Sequence, residues 1–383
     1  MQELLKWRIL LKAWPVLGIL LVESVLFLAH WFIYFTLIAF WSNPGPSALL
    51  IIRCAFFPLA FSFMVAALLS YRFGNYVVRL LYKIAAVWLG FLNFFFFASV
   101  ICWMVYLALQ LSGHQRFALP AWPAIIVYCF GLACTASIYG LLNAYLIRVR
   151  RISIKLPNLP ESWRGRTGLL ISDLHLGHIN GLHFSRRIVA LAGRLQPDII
   201  FIPGDVFDGS KVDPDRLVAP FKQLAPPQGF YFATGNHDEF GDTPHFLAAL
   251  KRAGIRILNN EMVVVDGLQI LGVSYHNTTY PMRLRKALEG MRLDRTSASI
   301  LLSHVPNRLP IVEEAGVNLQ VSGHTHGGQF VPFTWLTRRV FGKFTHGLHW
   351  FGALQVYTSY GAGTWGPPMR VGTFPELVLL QFE

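Results

Sequence analysis

Apolar residues in this chain follow two patterns. Up to residue 147 they form four long runs, at about 13–41, 48–71, 84–111 and 120–147, separated by short polar breaks. From residue 148 onward they shorten to strand-sized runs, and these repeatedly end in polar, Gly-containing loops. Each long run exceeds the roughly 20 residues needed to cross a bilayer core. The first is too long for the apolar region of a signal peptide and has no small-residue cleavage site at its end. The pattern predicts a four-helix transmembrane anchor over 1–147. A linker and first strand follow over 148–165, then a globular α/β domain over 166–383 in which short strands alternate with amphipathic helices.

Charge sharpens this division. Charged residues are 14% of the 383, against about a quarter in a typical soluble domain. Residues 1–147 hold 8 basic and 2 acidic side chains, and residues 148–383 hold 25 and 18. The net charge of +13 contains no long Lys/Arg run. Much of it flanks the apolar runs, which suits anionic lipid rather than nucleic acid. All four cysteines (Cys54, Cys102, Cys129, Cys134) lie in the apolar half without zinc-site spacing.

Lys6, Arg8, Lys12, Arg72, Arg79, Lys83, Arg148, Arg150, Arg151 and Lys155 fall in one set of short loops, and Arg116 alone in the other. The positive-inside rule then places both termini, and with them the globular domain, in the cytoplasm at the inner membrane. Trp14, Trp41, Tyr71 and Trp122 stand near run ends as interfacial anchors. Glu23 and His30 share a face of the first span. They raise a transport or proton-relay reading, set against one in which Glu23 is neutral or bonded to a polar neighbour such as Asn93.

The loops of the second half carry the chemistry. Strand-like runs lead into Asp173-Leu174-His175, Gly204-Asp205-Val206-Phe207-Asp208, Gly235-Asn236-His237-Asp238, His304, and Gly323-His324-Thr325-His326-Gly327-Gly328-Gln329. Ligands in open α/β folds gather at such strand ends. In extended chain, residues two apart point the same way, so Asp173 and His175 can grip one cation. His324 and His326 can reach the same cluster. The Asp205 carboxylate can bridge two ions, Asn236 offers an amide oxygen, and His304 offers an imidazole. Oxygen and nitrogen donors without thiolate suit two divalent cations such as Mn²⁺, Fe or Zn²⁺. Two such ions against two carboxylates leave a positive pocket suited to a phosphate. His178, His276, Arg283, Arg285, Arg338 and Arg339 are further polar candidates for substrate contact, each with a solvated-surface alternative.

In this order the motifs resemble the calcineurin-like metallophosphoesterase superfamily. The form Gly323-His324-Thr325-His326-Gly327-Gly328-Gln329, with the tail from Gly361 to Arg370 and on to Glu376, is similar to its membrane-tied bacterial phosphodiesterases. The resemblance covers about residues 150–383 and implies a four-layer αββα sandwich with the metals at one edge of paired sheets. It implies one metal on Asp173, His175, Asp205 and His326, and a second on Asp205, Asn236, His304 and His324. It further implies His237 as the group acting on the phosphoryl oxygens or leaving oxygen, Asp208 orienting the His237 ring, and Asp238 supporting the loop. The expected reaction is in-line attack on phosphorus by a hydroxide bridging the metals, without a phospho-enzyme. An acidic pair common in that branch is replaced here by Ser274-Tyr275-His276-Asn277.

The expected function is therefore hydrolysis of a phosphodiester or pyrophosphate, with membrane lipid as a partner. A sharper form has a lipid-linked substrate, such as a UDP-2,3-diacylglucosamine. The alternatives are a non-catalytic scaffold, which intact ligands argue against, and a transporter with a regulatory domain. Aromatics Phe330, Phe333, Trp335, Phe341, Phe344, Trp350 and Phe351 alternate with Arg338, Arg339 and Lys343. This segment reads either as a lipid-headgroup boundary or as core packed under the sheet. The charge bias predicts topology: in a cysteine-free background, Ser42→Cys and Ser112→Cys react with an impermeant maleimide added outside intact cells, and a cysteine appended at Glu383 does not. The reverse pattern would invert the orientation.

Overall fold

The computed structural model describes residues 2–41, 45–113 and 122–383, with side chains from Val16 onward. Ser42, Arg116 and the start of the fourth expected span, at 120–121, lie outside the described residues. So do the side chains of Lys6, Arg8, Lys12 and Trp14. The chain divides into two compact units. One comprises residues 1–70 with 75–139, the other 71–74 with 140–383.

Among the described residues, four helices are long and apolar enough to cross a membrane. They are α1 (Gln2–Phe40), α2 (Pro46–Arg72), α3 (Tyr76–Leu111) and α4 (Trp122–Tyr145). Helix α3 begins eight residues before the expected run, because its first two turns carry Arg79 and Lys83, which an apolar count omits. Asn75 caps it, its side chain accepting the Val78 N–H at 3.0 Å. His30 is buried and bonded on both ring nitrogens, Nδ1 to the Leu26 carbonyl at 2.7 Å and Nε2 to Trp88 Nε1–H at 2.8 Å. Trp103 likewise donates to Thr36 Oγ1 at 3.0 Å. In hydrocarbon such bonds join helices, so His30 acts as an interhelical strut and does not carry the relay reading.

In the second unit the short apolar runs become strands: β1 (Arg148–Ile154), β2 (Thr167–Leu170), β3 (Ile199–Ile202), β4 (Phe230–Phe232), β5 (Arg256–Ile257), β6 (Glu261–Val265), β7 (Leu268–Val273), β8 (Ser299–Ser303), β9 (Leu319–Ser322), β10 (Gly347–Phe351), β11 (Leu354–Thr358) and β12 (Glu376–Phe382). They build two six-stranded sheets, ordered β1-β12-β2-β3-β4-β5 and β10-β11-β9-β8-β7-β6. Neighbours β2 to β5 run parallel, as do β7, β8, β9 and β11.

Successive residues of these strands serve different cores, because side chains alternate across a strand. Ile199 and Phe201 of β3, Ile300 and Leu302 of β8, and Val378 and Leu380 of β12 meet between the sheets. Ile200 and Ile202 turn outward onto α5 (Leu182–Leu195) and α6 (Thr243–Arg252). Leu271, Leu301 and Val356 turn onto α7 (Pro281–Met291) and α8 (Leu309–Ala315). Strands buried on both faces read as unbroken apolar runs, and the result is the four-layer αββα sandwich. Gly168 makes room for the inner rings: a Cβ there would come within 2.9 Å of Phe201 and 3.2 Å of Phe382.

Removing a fully buried ring between the sheets leaves a cavity on both. Phe201→Ala is expected to cost about 3–5 kcal/mol, read as a drop in the urea midpoint of the solubilised full chain. Lys155→Ala, whose side chain is exposed, stays within about 0.5 kcal/mol.

Candidate metal centre

The ligand-bearing loops leave the sheets just past the ends of β2, β3, β4, β8 and β9. The extended-chain argument for Asp173 and His175 does not hold. Both adopt positive φ, 52° and 46°, as do Asp205 (54°), His324 (69°) and His326 (46°). The chain turns sharply at each strand end, so neighbouring side chains converge through left-handed turns and not by alternation. Such positions cost about 1–3 kcal/mol each and persist only where the surroundings hold them. Glycine supplies the remaining clearance. A Cβ on Gly204, itself at φ +113°, would meet the Gly235 N–H at 2.6 Å and His304 Nδ1 at 2.7 Å. One on Gly323 would overlap Ser172 Oγ and the Asp173 carboxylate.

The side chains meet at one point. His175 Nε2 lies 2.9 Å from His326 Nε2 and 3.7 Å from Asp205 Oδ2. His326 Nε2 is 3.5 Å from Asp173 Oδ1. On the other side of Asp205, its Oδ2 is 3.1 Å from His304 Nε2. His324 Nδ1 is 3.2 Å from His304 Nε2 and 3.1 Å from Asn236 Oδ1. All seven sequence-predicted donors are thus brought together, in two groups that share Asp205. Ligand atoms of Asp173, His175 and His326, and of Asp173, Asp205 and His304, lie within 4.8 Å of one another.

Burial pulls the His175 and His326 imidazoles well below the usual histidine range, and with His304 beside it pulls His324 down to about 3. Their lone pairs are free for a Lewis acid. Burial would raise the Asp205 carboxyl, but His304 and His175 override it and hold it ionised, well below the usual range. Burial would lower His304, but Asp205, Asp173 and Asp238 raise it to about 9, so without a metal its proton occupies the place of a cation. The neutral imidazoles and the carboxylates around it form a donor set that fits divalent cations.

Two loops hang on Asp238. Its carboxylate accepts the N–H groups of Asp205 (2.6 Å), Gly235 (2.9 Å) and Phe207 (3.0 Å), and so ties the loop after β3 to the loop after β4. The His237 N–H donates to Asp205 Oδ1 at 2.9 Å, and its ring stands 4.8 Å from that of His175. His237 Nδ1 meets the main-chain carbonyl of Asp208 at 3.0 Å. Asp208 thus reaches this ring with its main-chain carbonyl and not with its carboxylate. That carboxylate instead accepts the Ser210 N–H at 2.8 Å, the Ser210 hydroxyl and the His178 N–H at 3.3 Å.

The further substrate candidates fare differently. His178 is fully buried, not a surface side chain. Arg285 is taken by a bidentate ion pair with Glu314, 2.7 Å on each arm. Arg338 and Arg339 are exposed on α9 (Phe333–Phe341), outside the cluster. Phe341, at the end of α9, sets its ring 6.1 Å from His324.

Two residues beside the centre were not singled out from the sequence. Tyr275 stands where the acidic pair was expected, its ring 6.3 Å from His304 and 6.4 Å from His324. Arg370 is fully buried beneath His326. Its Nη1 donates to the His326 carbonyl (3.2 Å), and its Nη2 to the carbonyls of Gly363 (2.6 Å) and Tyr360 (2.7 Å). Nη2 also faces His326 Nδ1 at 3.3 Å. Burial lowers its guanidinium to about 10. A tail motif rich in glycine and ending in arginine was the available signal, but the His326 carbonyl it serves lies on a separate loop.

Residues 169–328 match the family described as Calcineurin-like phosphoesterase. The chain is 31% identical over 266 residues to an uncharacterized metallophosphoesterase of Aquifex aeolicus, covering 66% of this chain and 98% of that protein. It is 28% identical over 330 residues to an uncharacterized metallophosphoesterase of Campylobacter jejuni, 83% of this chain and 86% of the other. A Danio rerio transmembrane protein with metallophosphoesterase domain is 34% identical over 265 residues, and the chain spans only 60% of its length.

Arg370 ties its own loop to that of His326 through several main-chain carbonyls, so its loss strands several acceptors at once. Arg370→Met is expected to destabilise the second unit by at least about 2 kcal/mol, seen as a lower midpoint in thermal melts of the full chain. An unchanged midpoint would show that these carbonyls find other donors.

Proposed function

We propose that this chain, which belongs to the calcineurin-like metallophosphoesterase family, hydrolyses a phosphodiester or pyrophosphate bond at a site for two divalent cations, and that its substrate is lipid-linked. One observation carries the reading. Seven oxygen and nitrogen donors from five separate loops converge in two groups about one ionised carboxylate, Asp205. In the proposed assignment Asp173, His175, Asp205 and His326 hold one cation. Asp205, Asn236, His304 and His324 hold the other.

When bound, the cations neutralise the phosphoryl oxygens and lower the pKa of water toward neutrality. The remaining roles fall to the chain. Asp205 faces both groups, so a single carboxylate sets their spacing. The Asp208 carbonyl takes Nδ1–H of His237, which leaves Nε2 as the nitrogen available for proton transfer. His237 is 8% exposed and flanked by Trp365 at 5.8 Å, which limits water around it. Hydrolysis adds the elements of water across the P–O bond. His237 Nε2 gives the leaving oxygen its proton and regains one from solvent. Asp208 is a positioning residue through its carbonyl, while its side chain braces the loop through Ser210.

The lipid-linked class is supported by the four helices long enough to span a membrane, since a tethered site meets amphiphiles at high effective concentration. The proposed setting is the inner membrane with the catalytic unit in the cytoplasm.

Asp205→Ala is expected to lose metal from both positions and all turnover of an aryl phosphodiester with Mn²⁺. His237→Ala keeps both metals and loses about 10²–10⁴ in kcat. Elemental analysis beside the rate assay checks both. Full metal and normal turnover in the Asp205 variant would sink the assignment, and metal loss in the His237 variant would move that residue among the ligands.

A further inference from the structure

A cleft of about 560 Å³ opens beside His324, within the roughly 300–1,000 Å³ of small-molecule sites. Its apolar walls are Val305, Leu309, Val340, Phe341, Phe344 and Phe351. They come from the loop after β8, the start of α8, the end of α9 and strand β10. Tyr275, Thr279, Asn307, Arg308 and His324 are its polar contributors. The Tyr275 ring faces His304 and His324, while Arg308 is exposed and spends one donor on the Thr279 carbonyl at 3.4 Å.

The cleft does not stop at its own rim. Helix α9 buries none of its residues, and Trp335, Leu336 and Val340 are 68%, 60% and 66% exposed. The core reading of this segment holds for Phe330, which is 5% exposed, and in part for Phe344 and Phe351, which pack on the outer core. It does not hold for α9. An exposed apolar stripe continuous with an apolar cleft that ends at a ligand-bearing histidine is not ordinary surface.

We infer that this cleft is the subsite for an alkyl chain carried by the phosphoryl substrate, with α9 as its outer lip. The inference rests on the hydrolysis proposed above and specifies which part of the substrate lies where. Continuity with the centre selects the occupant, because whatever fills the cleft is attached to the group held at His324. Three aliphatic walls (Val305, Leu309, Val340) and three rings (Phe341, Phe344, Phe351) give a chain of methylenes apolar contact along the cleft. The membrane helices of the same chain make amphiphiles the abundant class around it. Arg308 offers a cation to an anionic head.

The test uses the full chain in phosphatidylcholine nanodiscs with Mn²⁺ and a series of alkyl p-nitrophenyl phosphodiesters from ethyl to octyl. A buried methylene contributes about 0.8 kcal/mol. With partial burial, kcat/KM is expected to rise at least tenfold from ethyl to octyl. Val340→Asp, on the exposed lip, is expected to reduce that octyl-to-ethyl ratio at least fivefold. A flat series in the wild-type chain overturns the inference. So does an unchanged ratio in the variant, which would mean that the alkyl chain partitions only into the bilayer. Preference for thymidine 5′-p-nitrophenyl phosphate over the octyl diester would assign the cleft to a nucleobase and also overturn it. Octylphosphonate binding by calorimetry separates this inference from the hydrolysis. Binding that weakens fivefold in Val340→Asp, with no diester turned over by the wild-type chain, would uphold the cleft and remove the reaction. Turnover with no octylphosphonate binding would do the reverse.

Discussion

The contact between the Asp205 carboxylate and the imidazoles on either side of it organises the catalytic unit. Oδ2 lies 3.1 Å from His304 and 3.7 Å from His175, in a place with almost no access to water. An isolated buried carboxylate would take up a proton. Here the facing imidazoles and the His237 N–H, bonded to Oδ1, hold it ionised. Asp205 also fixes the main chain around it, since its own N–H is held by Asp238. One residue therefore sets the distance between two groups of donors and the position of His237.

That arrangement is strained and needs a rigid support. Five of its donor residues sit at positive φ, and their loops pack so closely that glycine is needed at 204 and 323. The support is the double sheet. Its inner core is filled by large side chains such as Phe201, Tyr357 and Phe382, and the strand ends cannot shift without opening voids there. Asp238 and Arg370 complete the scaffold from opposite sides. Asp238 gathers main-chain N–H groups, and Arg370 gathers main-chain carbonyls. Opposite charges thus serve opposite ends of the peptide dipoles around one centre.

The chain is built for two solvents. In the first unit His30 bonds across helices to Trp88, and Trp103 to Thr36, because hydrocarbon offers these groups nothing else. In the second unit the same economy governs the centre, yet α9 breaks it by leaving Trp335, Leu336 and Val340 exposed. Exposed apolar side chains on one helix beside a charged centre cost solubility.

The membrane spans, the alternation of strands with loops, and the order of donors from Asp173 to His326 were legible in the residues, because each is local. An apolar run long enough to span a bilayer declares itself, and a strand buried on both faces is an unbroken run such as Ile199–Ile202. Helix ends were less legible: α3 starts at Tyr76 because charged residues continue a helix that an apolar count cuts short. What joins distant segments was decided by tertiary structure alone. The left-handed turns at Asp173 and His175 could not be read from their spacing, since they depend on loops packed against them. The Asp208 contact with His237 runs through a carbonyl that every residue possesses, so no residue type marks it. Arg370 serves His326, 44 positions earlier in the chain, and the cleft beside His324 forms where β8, α8, α9 and β10 meet. Composition and spacing determine which groups are present and in what order, whereas burial and distance across the fold determine which of them face one another.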